Sequence, residues 1–333
     1  MKLERIAIIG AGGWGTALSL IWANRRHSVL LWGNNASRVE EIRKRRENRI
    51  HLPGVILPKS VGLTSELEDC GDADLIVFVT PSTALREIAL RLRPIVTNNN
   101  AALLSCVKGI EHGSGKRMSE ILAETFPGHA VAVLSGPNLA IEVSRELPTA
   151  TVVACTDPAR ATELQRYLGT PRFRIYTGDE LIGIELGGAL KNIFAIAAGA
   201  GDGLGLGDNS KAALVTRSLA EMIRLGTKMG ADARTFYGLS GAGDLVATCF
   251  SQLSRNRRVG EELGRGRTLP EITSSMQTVA EGIPTAKSAY ECARKFNVET
   301  PVIDEVYALV HQGKPAVRAM EDLLARDQKA ERG

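Results

Sequence analysis

Aromatic residues make up only 5% of this 333-residue chain, and its five cysteines and five histidines are scattered. Few rings mean few platforms for stacking bases, so nucleic acid is not expected as a partner. Cys70, Cys106, Cys155, Cys249 and Cys292 form no CxxC pair. An odd, dispersed set argues against a disulfide framework and against a zinc site, and no metal is expected. Long apolar runs are missing as well. The run Ile193 to Ala200 is too short to span a bilayer and is bracketed by Lys191 and Asp202, so no integral membrane segment is expected. Charge of one sign is nearly balanced, with 41 Lys and Arg against 37 Asp and Glu. The excess of +4 favours anionic small molecules slightly. The basic run Arg43 to Arg46 has no interleaved aromatics and reads as a solvated helix face. The opening MKLERIAIIGAGG enters a strand pattern at once, leaving no room for a signal peptide, and a cytoplasmic location is expected.

What is present is a long folded chain with 44% hydrophobic and 23% charged residues, whose length favours two domains. Ile6–Ile9, Val29–Trp32, Leu75–Val79, Ala101–Val107, Ala130–Leu134, Thr151–Ala154 and Phe173–Thr177 read as buried strands. Trp14–Arg25, Ser37–Arg46, Ser82–Leu92 and Lys116–Phe126 carry helical spacing between them. Continuous apolar strands alternating with helices are the pattern of a sheet covered on both faces. After Gly178 helical spacing dominates: Ala212–Leu225, Arg257–Leu263, Ile283–Phe296 and Ile303–His311. The fold class expected is therefore α/β, a Rossmann-type doubly wound, mostly parallel sheet followed by an all-helical domain. The division expected is residues 1–180 for dinucleotide binding and 181–330 for substrate binding and catalysis, with a frayed tail over 326–333.

Gly10-Ala11-Gly12-Gly13-Trp14-Gly15 follows the first strand and opens a helix. Glycines there allow a tight turn, close approach of backbone to a pyrophosphate, and close packing of helix on strand. Gly10, Gly12, Gly13, Trp14 and Gly15 are accordingly the candidate cofactor contacts, with NADP or NAD as the cofactor. The second strand ends Leu31-Trp32-Gly33-Asn34-Asn35, with no acid to hold ribose hydroxyls. Asn34 would not repel a 2′-phosphate, and Arg38 follows, so NADP is allowed.

The most informative stretch is Gly188 to Asn209, GALKNIFAIAAGAGDGLGLGDN. It sets Lys191 into an apolar helix at the expected junction of the two domains, where ligand clefts form. Reducing a ketone with a nicotinamide requires a proton donor at the carbonyl oxygen, and a desolvated lysine can serve. A lysine snorkelling from a half-buried helix is the plainer alternative. Asn192 adds an amide beside it. Lys108 lies just past the carboxyl end of a predicted strand, and the Ser135–Ala140 segment also follows a strand. Asp244 begins a helix after glycines, where it can orient Lys191 or simply cap the helix. Thr248 lies one turn on. Ser254-Arg255-Asn256 supplies a guanidinium suited to phosphate, although such a run is often a solvated helix start.

These segments resemble the bacterial-type NAD(P)-dependent glycerol-3-phosphate dehydrogenases. The likeness runs from GAGGWGTAL through NRIHLPG, VKG, SGP, GALKN, DGLG, GDLVATC, SRNRR and VAEG to GKPA, nearly the whole length. It implies reversible reduction of dihydroxyacetone phosphate to sn-glycerol 3-phosphate, a phosphate-bearing small-molecule substrate, and a homodimer. It further implies that Lys191 transfers the proton. Lys108, Asp244, Thr248, Arg255 and Asn256 would surround the substrate, with Asn192 and Ser254 close by and Gly136 and Asn138 lining the site. Ala140, Lys108, Arg255, Val279 and Glu281 would touch the cofactor, the last two at the nicotinamide. Two positions depart from the family's pattern: Asn34 stands where a basic residue is common, and Asn138 where Ser or Thr is usual. An amide at 138 still hydrogen-bonds, so altered affinity with retained activity is expected. The competing readings are another dehydrogenase of the 6-phosphogluconate or β-hydroxyacid type, and a nicotinamide-binding regulatory protein without turnover. The first fits GDLVATC and SRNRR poorly, and the second has no need for Lys191, Asp244 and Arg255 together.

Overall fold

The computed structural model describes residues 3–23, 27–328 and 330–331. Eight strands form one sheet in the order β3-β2-β1-β4-β5-β6-β7-β8. They are β1 (Arg5–Ile9), β2 (Ser28–Trp32), β3 (Val61–Thr64), β4 (Leu75–Phe78), β5 (Ala102–Ser105), β6 (Val131–Ser135), β7 (Thr149–Cys155) and β8 (Phe173–Gly178). All pairings are parallel except β6 with β7. Along β1, Ile6 and Ile8 enter one core while Ala7 and Ile9 enter another, the period-two alternation of a strand buried on both faces. The faces are covered by α1 (Gly13–Ala23), α2 (Ala36–Arg45), α3 (Leu85–Leu92), α4 (Met118–Thr125), α5 (Ala140–Ser144) and α6 (Pro158–Leu168). Strand order reverses between β1 and β4, so the crevice beyond their carboxyl ends is the ligand edge.

The helical part comprises α7 (Leu181–Gly203), α8 (Gly207–Lys228), α9 (Asp244–Phe250), α10 (Arg255–Gly264), α11 (Leu269–Ser274), α12 (Gly282–Lys295), α13 (Pro301–His311) and α14 (Ala316–Leu324). By length and composition α7 could cross a membrane, but 83% of its apolar window is buried in protein, and it is the axle of this core. It meets α10 across glycines from both helices. A Cβ on Gly199 would lie 1.9 Å from the Arg257 carbonyl oxygen, and one on Gly260 1.9 Å from that of Ile196.

Several elements differ from the sequence reading. Strand β3 and helix α6 were not expected. The first is a four-residue edge strand containing Gly62, too short and too weak in β-formers to declare itself. Helix α6 has a low-hydrophobicity pattern but ordinary start signals, an Asp157 cap and Pro158 at its first turn. The basic run is not wholly a solvated face. Arg46 ends α2 in a left-handed conformation, φ 53°, and its guanidinium bonds the carbonyls of Leu57, Pro58 and Val61. The expected helix end at residues 24–25 lies outside the described residues, as do Lys329, Arg332 and Gly333 of the tail. Among the described tail residues Arg326 pairs with Glu299, and Glu331 lies 4.0 Å from Arg217, both at the surface.

Candidate active site

The glycine turn after β1 has the form a dinucleotide requires. Gly10 takes φ 129°, closed to most side chains. A Cβ on Gly15 would sit 2.0 Å from the Gly10 carbonyl oxygen, so α1 packs on β1 only because that position is glycine. Gly12 has nothing within 4 Å of its missing Cβ and faces open space, while Gly13 is roofed by the His51 carbonyl and by Ala140 at 3.8 Å. The free N–H groups of α1 therefore open onto a cradle with room for a phosphate. Half-buried Trp14 packs its ring 6.1 Å from that of Phe173. Asn34 is exposed past the end of β2, beside Asn35, whose side chain caps α2.

His51 was missed by the sequence reading, though it stands inside NRIHLPG. Burial lowers its pKa, and so do the nearby charges of Arg38 and Arg255, which means three potentially cationic groups converge over the turn. Arg255 has no ion pair among the described residues. Partial burial of the guanidinium pushes its pKa down, opposed by the charge of Glu281. A guanidinium without an ion pair among the described residues, at the start of a helix, has donors available to an anion.

Across the cleft three elements deliver charged side chains to one point. Lys191 projects from α7, buried, and its Nζ donates to Asp244 Oδ1 at 2.9 Å and Thr248 Oγ1 at 2.6 Å. Lys108 follows β5, and its Nζ donates to Asp244 Oδ2 at 2.5 Å and to the Gly136 carbonyl at 2.9 Å. Asp244 is buried at the start of α9, after a π-helical turn over Leu239–Gly243. It does not cap its helix; each carboxylate oxygen takes one lysine. Thr248, one turn on, donates to Asp244 Oδ1 at 3.1 Å. Burial alone would raise the Asp244 pKa, but Lys108 and then Lys191 outweigh it and hold the carboxyl below its usual range. Burial, together with repulsion from Lys108, brings Lys191 down to about 8 against the pull of Asp244. A lysine poised near neutral pH is suited to give and take a proton. The snorkelling alternative fails, because the ammonium is buried.

The remaining candidates form a supporting frame. Asn256 Nδ2 donates to Asn192 Oδ1 at 2.8 Å, and Asn256 Oδ1 accepts from the Gly282 N–H at 2.9 Å, so this amide joins α7, α10 and α12. One Nδ2 hydrogen of Asn256 is not used by these two bonds. Ser254 caps α10 by accepting from the Arg257 N–H. Asn138 Nδ2 donates to Thr151 Oγ1 at 3.1 Å, and its buried Oδ1 lacks a partner, as does Ser135 Oγ nearby. Glu281 accepts from the Ser82 N–H at 3.1 Å and from its hydroxyl, a bond between the helical part and the turn after β4 that sequence reasoning did not foresee. Val279 is 51% exposed on the segment before α12.

A switch-point crevice with a dinucleotide turn on one wall and a buried lysine–aspartate pair on the other defines a two-domain nicotinamide-dependent dehydrogenase. Residues 5–161 match the model for the N-terminus of NAD-dependent glycerol-3-phosphate dehydrogenase, and residues 180–321 match the model for its C-terminus. The chain belongs to this family. It is 47% identical over 99% of its length to the glycerol-3-phosphate dehydrogenase [NAD(P)+] of Geobacter sulfurreducens, covering 99% of that protein. A second relative of the same name, from Corynebacterium jeikeium, is 44% identical over 99% of this chain and 100% of its own. Among solved structures, the glycerol-3-phosphate dehydrogenase of Coxiella burnetii superposes with a TM-score of 0.94 at 37% identity, covering 97% of this chain and 99% of that one. The yeast enzyme superposes with 0.81 at 28% identity, over 98% and 100%.

Proposed function

We infer that this protein reversibly reduces dihydroxyacetone phosphate to sn-glycerol 3-phosphate with NAD(P)H, feeding glycerol phosphate to phospholipid synthesis. The observation that carries the reading is the buried Lys191–Asp244–Lys108 cluster, in a chain of this family. When bound, the reduced nicotinamide supplies the hydride to the carbonyl carbon. Gly10, Gly12, Gly13, Trp14 and Gly15 hold the dinucleotide from the turn, and Ala140 closes over it. Asn34, Lys108, Arg255, Val279 and Glu281 complete that binding surface. Arg255, at the head of α10 with Ser254 and Asn256, clamps the substrate phosphate.

Negative charge grows on the carbonyl oxygen as the carbon is reduced, and the Lys191 ammonium meets it and gives up a proton there, leaving a neutral hydroxyl and a neutral amine. In the reverse direction the neutral amine takes that proton back. Asp244 holds Lys191 in place and keeps it charged near neutral pH, and Thr248 fixes its direction. Lys108 adds positive charge on the other side of Asp244. Gly136, Asn138 and Asn192 line the remaining surface, with the free Asn138 Oδ1 an acceptor for a substrate hydroxyl. Asn34 offers no carboxylate against a 2′-phosphate, which supports use of NADPH. We place the protein in the cytoplasm, acting as a homodimer on a soluble substrate.

The test follows NADPH and then NADH absorbance with dihydroxyacetone phosphate. Rapid oxidation is expected, faster with NADPH. No oxidation by protein that binds NADPH would overturn the assignment and favour the regulatory reading.

A further inference from the structure

Between its first turn and Lys191, α7 has an unusually smooth surface. Its Gly187 lies against the Ser240–Gly241 backbone, where a Cβ would come within 2.8 Å, and its Gly188 lies against Ser135, where a Cβ would come within 2.4 Å of Oγ. At these two positions the backbones come close without side chains of their own to interlock, so directed polar bonds are what can add register on this side of α7. The crossing with α10 sets α7 against the other helices, and a separate contact is needed to tie it to the sheet layer.

Glu185 has the geometry for that task. Its carboxylate is buried at 2% exposure on the side of α7 that meets the sheet layer. Oε1 accepts from the Ser119 N–H at 2.7 Å. Oε2 accepts from the Ser119 hydroxyl at 2.6 Å and from Arg117 NH1 at 2.9 Å. Ser119 sits in the first turn of α4, whose free N–H groups favour an anion. Burial pushes the Glu185 pKa up, while Arg117 and the Ser119 bonds pull against it. Three directed bonds to one carboxylate define both the height and the rotation of α7. Lys191 rides on the same helix.

We propose that Glu185 is a positioning residue for the reaction, bolting α7 to the amino end of α4 so that the Lys191 ammonium meets the substrate oxygen. It touches neither substrate nor cofactor and acts only through Lys191. The inference rests on the reductase reading above. A misplacement of about 1 Å can cost on the order of 100-fold in rate.

The test compares wild type, Glu185→Gln and the double variant Glu185→Met with Arg117→Met, which removes both charges and keeps an apolar contact. Each is checked for melting temperature and for NADPH affinity by fluorescence titration. In protein that is fully folded at the assay temperature, kcat is expected to fall at least ~10-fold in both, with the NADPH Kd unchanged within about twofold. Chemistry then becomes slower than product release, so the isotope effect with 4-deuterated NADPH rises. A merely structural role would lower kcat only through loss of folded protein and would leave the isotope effect as in wild type. Wild-type kcat and isotope effect in either folded variant overturn the proposal. If the wild type itself reduces no dihydroxyacetone phosphate, the functional reading falls, and amide exchange over 187–192 judges this one. Faster exchange in Glu185→Gln supports the bolt, and unchanged exchange refutes it.

Discussion

Replacing Asp244 by Asn keeps the shape of the side chain and removes the charge that two lysines share. Lys191 Nζ lies 2.9 Å from one carboxylate oxygen. With an effective dielectric of ~20, opposite charges 2.9 Å apart attract by about 6 kcal/mol. Water entry and side-chain relaxation recover much of that. If a third survives, about 2 kcal/mol is lost, equal to about 1.5 pH units at ~1.4 kcal/mol each. The direction is unambiguous. Asp244 favours the ammonium, so its removal lowers the Lys191 pKa from about 8 toward about 6.5. Ketone reduction needs the protonated lysine, so kcat falls as pH rises through that value. The basic limb of the kcat–pH profile in the reduction direction should therefore move from about 8 in wild type to about 6.5 in Asp244→Asn. Alcohol oxidation needs the neutral amine, and its acidic limb should move down by the same amount. The profiles are read from NADPH absorbance between about pH 5.5 and about pH 9.5. A basic limb that stays near 8, or moves upward, would refute the charge-sharing argument and remove Lys191 as the group titrated.

Lys191→Ala should lose on the order of a thousandfold or more in turnover while still binding NADPH, measured by fluorescence, and unchanged turnover would remove it as proton donor. Gly260→Ala forces a Cβ to within 1.9 Å of the Ile196 carbonyl oxygen, so the α7–α10 crossing must open. A loss of about 1–3 kcal/mol is expected in urea unfolding, and a neutral result would mean the helices slide apart freely. Glu221 is buried on α8, where it accepts from the Val302 and Ile303 N–H groups, and burial raises its pKa to about 7. A carboxyl with a raised folded pKa takes up a proton more readily folded than unfolded, so stability grows as pH falls through 7 toward the unfolded value. Wild type should gain at least ~1 kcal/mol relative to Glu221→Gln between pH 8 and pH 5.5, about the span over which this group titrates, and an equal pH dependence in both proteins would contradict it.

The sheet was legible because parallel strands buried on both faces are continuous apolar runs, and because Gly10–Gly15 punctuates the first of them. Edge strand β3 was not, since Gly62 and its short length leave no pattern to count. Lys191 stood out as a charge in an apolar helix, and Asp244 and Thr248 followed at one-turn spacing. What could not be read was which oxygen meets which lysine. Asp244 looked as much like a helix cap as a counter-ion, and only the π-helical turn before it aims the carboxylate inward. Asn256 read as a substrate ligand, whereas most of its amide is committed to tying three helices together. Contacts such as Glu281 with Ser82 join residues far apart in the chain through folding alone, and no local spacing announces them.

The glycine crossing of α7 and α10 acts as a ruler. Lys191 stands on one helix and Arg255 on the other, and backbone-to-backbone contact at Gly199, Gly203, Gly260 and Gly264 leaves no slack between them. With Arg255 proposed at the phosphate and Lys191 at the carbonyl, the separation of the two is set within the helical part alone. The spacing of these two side chains is held by four missing methyl groups, remote from both of them.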